Sequence, residues 1–235
     1  YFSSFLRLSA LQLSGQVNTI NTNANPYWRL AWNHVKGHHS YMVGTFGMVT
    51  HLARDPFVAG SASGTYTDLG LDAQYQHITD THSVSVQASY INEHVDWGTR
   101  SVGRSHDYAS GALSTFKTKL TYDYARTYGS SVFYFKTTGS NDNLYWSFNP
   151  DPAVITGACN QTNSMLAYCS ATGSPKTNGM GFEFYYAPTP KIHIALQQTF
   201  YKNFLGGADF FDNASGSNRR ASDNNLIYLY VTYAH

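Results

Sequence analysis

Ten histidines stand out as the residues best able to bind a metal or haem in this chain of 235 residues. His38, His39, His77 and His82 lie at predicted turns or strand ends. An imidazole nitrogen ligates haem or a metal ion where several such rings converge in space. The spacing of these histidines matches no metal-binding motif, so solvated turn residues are the alternative interpretation. His39 and His82 are the candidate ligands.

The segment Ser105-His106-Asp107 contains the three residue types of a hydrolytic triad. A triad requires side chains that the fold brings together from separate positions, and three consecutive loop residues do not meet that requirement. The chain contains no other candidate for nucleophilic catalysis. We therefore predict that it is not an enzyme.

The two cysteines, Cys159 and Cys169, lie in one polar loop. A disulfide between them is one interpretation in an oxidising compartment, and two free thiols are the other. Covalent attachment of a c-type haem needs the motif C-x-x-C-H, which neither cysteine belongs to. The sequence thus predicts no haem bound covalently by this chain.

The composition is unusual for a soluble protein. Charged residues make up 12% of the chain, about half the usual share, yet the mean hydropathy is −0.35. Abundant aromatic residues argue against disorder, and no apolar run approaches the length of a membrane-spanning helix. The net charge of +1 argues against a nucleic-acid partner. Because the chain starts at Tyr1 without a signal segment, we read it as mature or truncated.

Polar and apolar residues alternate with a period of two, which predicts β-strands. In Ser83–Ile91, for example, Val84, Val86 and Ala88 alternate with serine and glutamine. Ten candidate strands follow from this pattern: 1–13, 27–35, 39–52, 68–78, 83–95, 112–124, 128–138, 178–187, 191–204 and 225–235.

Short and long connections alternate between these strands, and most strands are long enough to cross a bilayer at a tilt. Short periplasmic turns and long external loops are typical of outer-membrane barrels, as are Tyr and Trp at the strand ends. We predict an all-β, antiparallel transmembrane β-barrel of about ten strands, or part of a larger barrel, formed by one domain over residues 1–235. Its expected location is the bacterial outer membrane, with the lipid bilayer as partner and the C-terminus in the periplasm.

Charged residues that alternate with apolar neighbours are expected to face the lumen of such a barrel. They would form a salt-bridged ladder that fixes the pore shape, or filter ions. The candidate lumen-lining residues are Arg29, Asp68, Asp72, Lys117, Lys119, Asp123, Lys136, Glu183 and His193.

Four short segments, 25–32, 43–48, 72–76 and 220–230, resemble in their order a family of outer-membrane proteins. They read NPYWRLAW, VGTFGM, DAQYQ and RASDNNLIYLY. The family is the barrel part of outer-membrane cytochrome–porins, including the fused cytochrome–porins of iron-oxidising bacteria. The resemblance covers about residues 25 to 235.

The resemblance implies a porin-like sheath of an electron conduit across the outer membrane. In that family a short N-terminal segment binds a c-type haem, so here haem would come from a missing segment or from a c-type cytochrome partner. This chain departs from the family in lacking C-x-x-C-H, in having fewer strands, and in ending at Tyr233-Ala234-His235. The chain would then be the C-terminal portion of a longer barrel or a complete ten-stranded relative. The alternative functions are a general diffusion porin or small-solute channel, and a structural or adhesive barrel.

Overall fold

The structure is a computed structural model that describes residues 25–53, 63–98, 108–142, 146, 170, 172–209 and 219–233. The described residues include nine β-strands and a short 3-10 turn at Ala221–Asn224. The strands are β1 Tyr27–Lys36, β2 His39–Ala53, β3 Ser63–Ile78, β4 His82–Asp96, β5 Ser110–Tyr124, β6 Tyr128–Gly139, β7 Thr177–Thr189, β8 Ile192–Asn203 and β9 Leu226–Tyr233.

The nine strands form one antiparallel sheet in which each strand pairs with its neighbours in sequence. The all-β, antiparallel prediction is confirmed, and nine of the ten candidate strands are present. The candidate strand 1–13 lies outside the described residues. β3 begins at Ser63 rather than at the predicted residue 68. The residues from Ser63 to Thr67 include serine, glycine and two threonines, which resemble a loop, so the sequence did not predict the first five residues of β3.

Connections of two kinds lie at opposite ends of the sheet. The short ones span 37–38, 79–81, 125–127 and 190–191, and the long ones begin after β2, β4, β6 and β8. Ala125 and Arg126 adopt positive φ angles of 50° and 56°. This left-handed geometry matches the twist of a tight hairpin and allows β5 to return directly as β6.

The sheet has two chemically different faces. Directly opposed residues in an antiparallel pair lie on the same face, so the strand register assigns each residue to one side. Leu71 is opposed by Thr45 and Tyr90, whereas its neighbour Asp72 is opposed by Gly44 and Ser89. We call the side of Leu71 the apolar face and the side of Asp72 the polar face.

The apolar face is not covered by any element that the structure describes. Leu30, Phe184 and Leu229 on this face are 70%, 62% and 72% exposed. Among the described residues the buried hydrophobic side chains are Val95, Ala195 and Ala221. The sheet is therefore a single layer without a hydrophobic core between layers. None of the described helical segments is long and apolar enough to cross a membrane.

The two edge strands, β1 and β9, are not hydrogen-bonded to each other in the described part of the chain. Since nine strands alternate in direction, β1 and β9 both run from the long-connection end to the short-turn end. The two edge strands therefore run in the same direction.

Candidate functional site on the polar face

Eight of the nine candidate lumen residues lie on the polar face. Their positions follow from the register: Asp72 shares a row with Ser89 and Lys117, and Glu183 shares a row with Ser131 and Gln197. The eight residues are Arg29, Asp68, Asp72, Lys117, Lys119, Asp123, Glu183 and His193.

The assignment of Lys136 to the same side was wrong. Lys136 is directly opposed by Phe116 on β5 and Asn178 on β7, and this row belongs to the apolar face near the long-connection end. The error arose because β6 contains the consecutive aromatic residues Phe133, Tyr134 and Phe135. Bulky residues then point to both faces, so alternation does not identify the side.

Glu183 is the centre of a hydrogen-bonded network on the polar face. Its Oε1 accepts hydrogen bonds from the Lys119 ammonium at 3.1 Å and the Ser131 hydroxyl at 3.2 Å. Its Oε2 accepts one from the Tyr230 hydroxyl at 3.0 Å. The side chains of Lys119 and Glu183 are only 22% and 13% exposed. Because this ion pair is largely shielded from solvent and its carboxylate accepts two further hydrogen bonds, it fixes the relative positions of β5, β6, β7 and β9.

A second set of contacts extends this network toward the short-turn end. The Tyr185 hydroxyl donates to Asp123 Oδ1 at 2.6 Å. The Tyr185 ring packs against the imidazole of His193 with centroids 4.5 Å apart, and His193 lies 6.0 Å from the Tyr230 ring. We call these residues together the polar-face cluster: Lys119, Asp123, Ser131, Glu183, Tyr185, His193 and Tyr230.

The position of Tyr185 depends on a glycine. Gly129 is directly opposed by both Asp123 and Tyr185. A Cβ atom at residue 129 would overlap the Tyr185 ring and lie 2.6 Å from Asp123 Oδ1. The absence of a side chain there lets the tyrosine lie flat on the sheet and reach the carboxylate across β6.

Arg29 and Asp72 form a second ion pair on the polar face, with Arg29 Nη2 and Asp72 Oδ2 2.5 Å apart. The pair links β1 to β3 across Gly44 of β2, where a Cβ atom would lie 2.6 Å from Asp72 Oδ1. The Arg29 guanidinium also lies 5.8 Å from the centre of the Phe46 ring. The contact is a weak cation–π interaction.

Lys117 and Asp68 complete the predicted set without joining the polar-face cluster. Lys117 is opposed by Ser89 and Phe135 and makes no ion pair with a residue that the structure describes. Asp68 is 8% exposed and is opposed by Glu93. Over the described strands the polar face bears three cations and five carboxylates, a net charge of −2. They are Arg29, Lys117 and Lys119, against Asp68, Asp72, Glu93, Asp123 and Glu183.

The two candidate metal ligands lie on the apolar face, near the short turns. His39 Nδ1 shares a hydrogen bond of 2.9 Å with the Tyr75 hydroxyl, and His82 Nδ1 shares one of 2.8 Å with the Tyr122 hydroxyl. In the part of the chain that the structure describes, no group of three or more His, Cys, Asp or Glu side chains is arranged to hold a metal ion. His39 instead packs against His77, with ring centroids 4.5 Å apart.

Sequence reasoning missed the tyrosines of the polar-face cluster. Tyr185 is followed by Tyr186, and Tyr230 belongs to the run Tyr228-Leu229-Tyr230. An aromatic side chain fits either face, so its residue type does not identify the side, whereas the strand register places Tyr185 and Tyr230 on the polar face. Cys159, Cys169 and the segment Ser105–Asp107 lie outside the described residues.

No protein-family model, curated protein or solved structure matches this chain.

Proposed function

We propose that this chain forms the wall of an outer-membrane β-barrel, with its apolar face toward lipid and its polar face lining a water-filled interior. The exposure of the apolar face supports the proposal most directly. Soluble monomers rarely expose a contiguous apolar patch larger than a few hundred Å². Here apolar side chains are exposed on all nine strands. In a bilayer the same side chains would contact hydrocarbon instead of water, and each Å² of apolar surface removed from water is favourable by ~25 cal/mol.

Strand dimensions and connections support the same placement. Eight of the nine strands have 10 to 16 residues, and β9 has eight. A tilted transmembrane strand needs about 9 to 11 residues. Short connections at one end and long ones at the other are the arrangement found in outer-membrane barrels.

Closure of an antiparallel barrel requires an odd number of further strands between the edges, and one strand is the smallest such number. Since β1 and β9 are parallel, pairing them with each other would interrupt the antiparallel pattern, whereas one inserted strand would be antiparallel to both. The candidate for a single closing strand is the predicted strand 1–13, which lies outside the described residues. In this segment Leu6, Leu8 and Ala10 alternate with Arg7 and Ser9, as expected for a strand between lipid and a polar interior.

The function best supported by this geometry is a channel for small solutes with a preference for cations. Ion pairs and hydroxyl groups along the polar face would keep the interior wet. The net charge is −2 over the described strands and −1 with Arg7 included, and it would favour small cations over anions. The network around Glu183 would hold the wall rigid and would narrow the interior between β5 and β9.

The electron conduit is the second candidate, supported by the resemblance and by His193, an imidazole on the polar face. A ten-stranded barrel is narrow, and beside its own side chains the lumen has room for water and small ions but not for a haem. The charged network around Glu183 also differs from the dry pocket that a haem requires. A haem therefore does not fit inside a ten-stranded barrel of this chain. The conduit requires a wider barrel with strands from elsewhere and a partner that brings the haem.

Planar-bilayer recording on the refolded full chain separates the two candidates. We expect discrete conductance steps and a reversal potential that favours K⁺ over Cl⁻. The same protein, purified from a host that matures c-type haem, should show no Soret absorption. Absence of conductance together with a Soret band would reject the channel in favour of the conduit. Absence of both would leave a structural barrel and reject the two proposals.

A further inference from the structure

Three basic or hydrogen-bonding side chains form a row across the apolar face at the short-turn end. Lys36, His39 and His77 are directly opposed in turn across β1, β2 and β3. Lys36 carries a positive charge and is exposed, and both histidine rings are partly exposed. His39 uses Nδ1 for its hydrogen bond with Tyr75, which leaves Nε2 for a ligand.

An apolar trough continues from this row toward the middle of the sheet. It has a volume of about 260 Å³ and is lined on the apolar face by Tyr41, Val43, Ala73, Tyr75, Val86 and Ala88. Ala73 and Ala88 are directly opposed, and their small side chains form the floor. The two tyrosine rings, with centroids 5.2 Å apart, lie between the row and the floor.

We infer that the row and the trough together bind one anionic phospholipid. A phosphate group would lie against Lys36, His39 and His77, and an acyl chain would follow the trough over Ala73 and Ala88. Ala73 lies four positions before His77, a distance of ~13 Å along the strand. This distance matches the step from a headgroup into the hydrocarbon, and the tyrosines would lie at the boundary between them.

Charge complementarity is the reason for choosing an anionic lipid as the occupant. A second apolar trough, lined by Leu120, Tyr122, Val132 and Phe184 among others, continues toward the short turns into Tyr124 and Tyr128. The opposed row at that end contains a single imidazole, His82, and no lysine beside it. The second trough therefore offers the same hydrocarbon contact without the phosphate site. The inference rests on the proposed membrane placement, because it requires the apolar face to meet lipid.

Native mass spectrometry of the full chain, folded in vesicles of phosphatidylcholine and phosphatidylglycerol and then extracted in mild detergent, tests the inference. We expect the wild-type chain to retain one phosphatidylglycerol in preference to phosphatidylcholine. Lys36→Gln with His77→Gln should reduce this preference about fivefold, since one basic side chain near a lipid surface contributes ~1 kcal/mol. Ala73→Leu, which fills the trough, should reduce retention of either lipid.

Two matched variants serve as controls. Lys191→Gln removes a charge from another short turn, and Ser130→Leu adds the same bulk beside the second trough. Both should retain phosphatidylglycerol like the wild type. Equal retention by Lys36→Gln/His77→Gln, loss of lipid in the controls to the same extent, or a dimer without bound lipid would overturn the inference. Failure of the wild-type chain to insert into vesicles would instead reject the barrel itself.

Discussion

Tyr185 of β7 lies flat across Gly129 of β6 and donates a hydrogen bond of 2.6 Å to Asp123 on the far side. One side chain thereby connects three strands on the polar face. The contact exists only because residue 129 has no Cβ atom. It also turns the tyrosine along the sheet rather than into the proposed interior.

Gly129→Ala should destabilise the folded chain by ~1–3 kcal/mol, because the new methyl group overlaps the Tyr185 ring. The midpoint and slope of urea unfolding in lipid vesicles measure the change. In a Tyr185→Ala background the same substitution should cost much less, since the ring it meets is gone. Equal costs in the two backgrounds would show that the contact between residues 129 and 185 has no energetic role.

Glu183→Gln should lower the free energy of unfolding by ~1–3 kcal/mol, because the shielded Lys119 ammonium then lacks the carboxylate that it pairs with. Replacing both residues, as Lys119→Met with Glu183→Gln, should recover part of that loss. A double-mutant cycle built from urea unfolding gives the coupling energy directly. A coupling indistinguishable from zero would mean that the ion pair does not hold β5 to β7.

Lys117 and Lys136 provide a matched pair of charges on opposite faces of the sheet. Lys117→Gln removes a cation from the proposed interior and should raise the preference for K⁺ over Cl⁻. Lys136→Gln removes the same charge from the apolar face and should leave the reversal potential unchanged. The measurement is the zero-current potential under a salt gradient. Equal shifts for both variants would contradict the assignment of the two faces.

Closure by residues 1–13 predicts disulfide crosslinks to both edges of the sheet within one chain. In a Cys159→Ser/Cys169→Ser background, single cysteines at positions 5–11 are paired with Ala31→Cys on β1 or Leu229→Cys on β9. We expect intramolecular crosslinks to each edge, with yields that alternate along the segment. Crosslinks between chains, or to neither edge, would indicate that other strands complete the sheet.

The strands were largely predictable because nine hairpin-linked segments repeat one pattern of alternation and turn residues. In Ser83–Ile91 small polar residues alternate strictly with apolar ones, and the predicted strand matches β4 closely. The start of β3 was missed because Gly64 and the threonines after it resemble a turn. Local sequence specifies whether a residue is extended, but not how far the ladder of hydrogen bonds continues.

The polar-face cluster was predictable only in part, since its members meet through strand register. The charged members Lys119, Asp123 and Glu183 were identified by their polarity among apolar neighbours. Tyr185 and Tyr230 were not, because an aromatic ring fits either face and only the opposed residue decides. The partnership of His39 with His77 likewise arises from pairing between β2 and β3.

Spin-label accessibility along β4 tests the central claim most directly, which is that the two faces meet lipid and water. Single labels are placed from residue 84 to residue 90 in the cysteine-free chain reconstituted in vesicles. At Val84, Val86, Ala88 and Tyr90 collisions with oxygen should dominate, as in lipid. At Ser85, Gln87 and Ser89 collisions with a water-soluble nickel complex should dominate. Equal access of the nickel complex to both sets of positions would contradict a membrane-spanning wall.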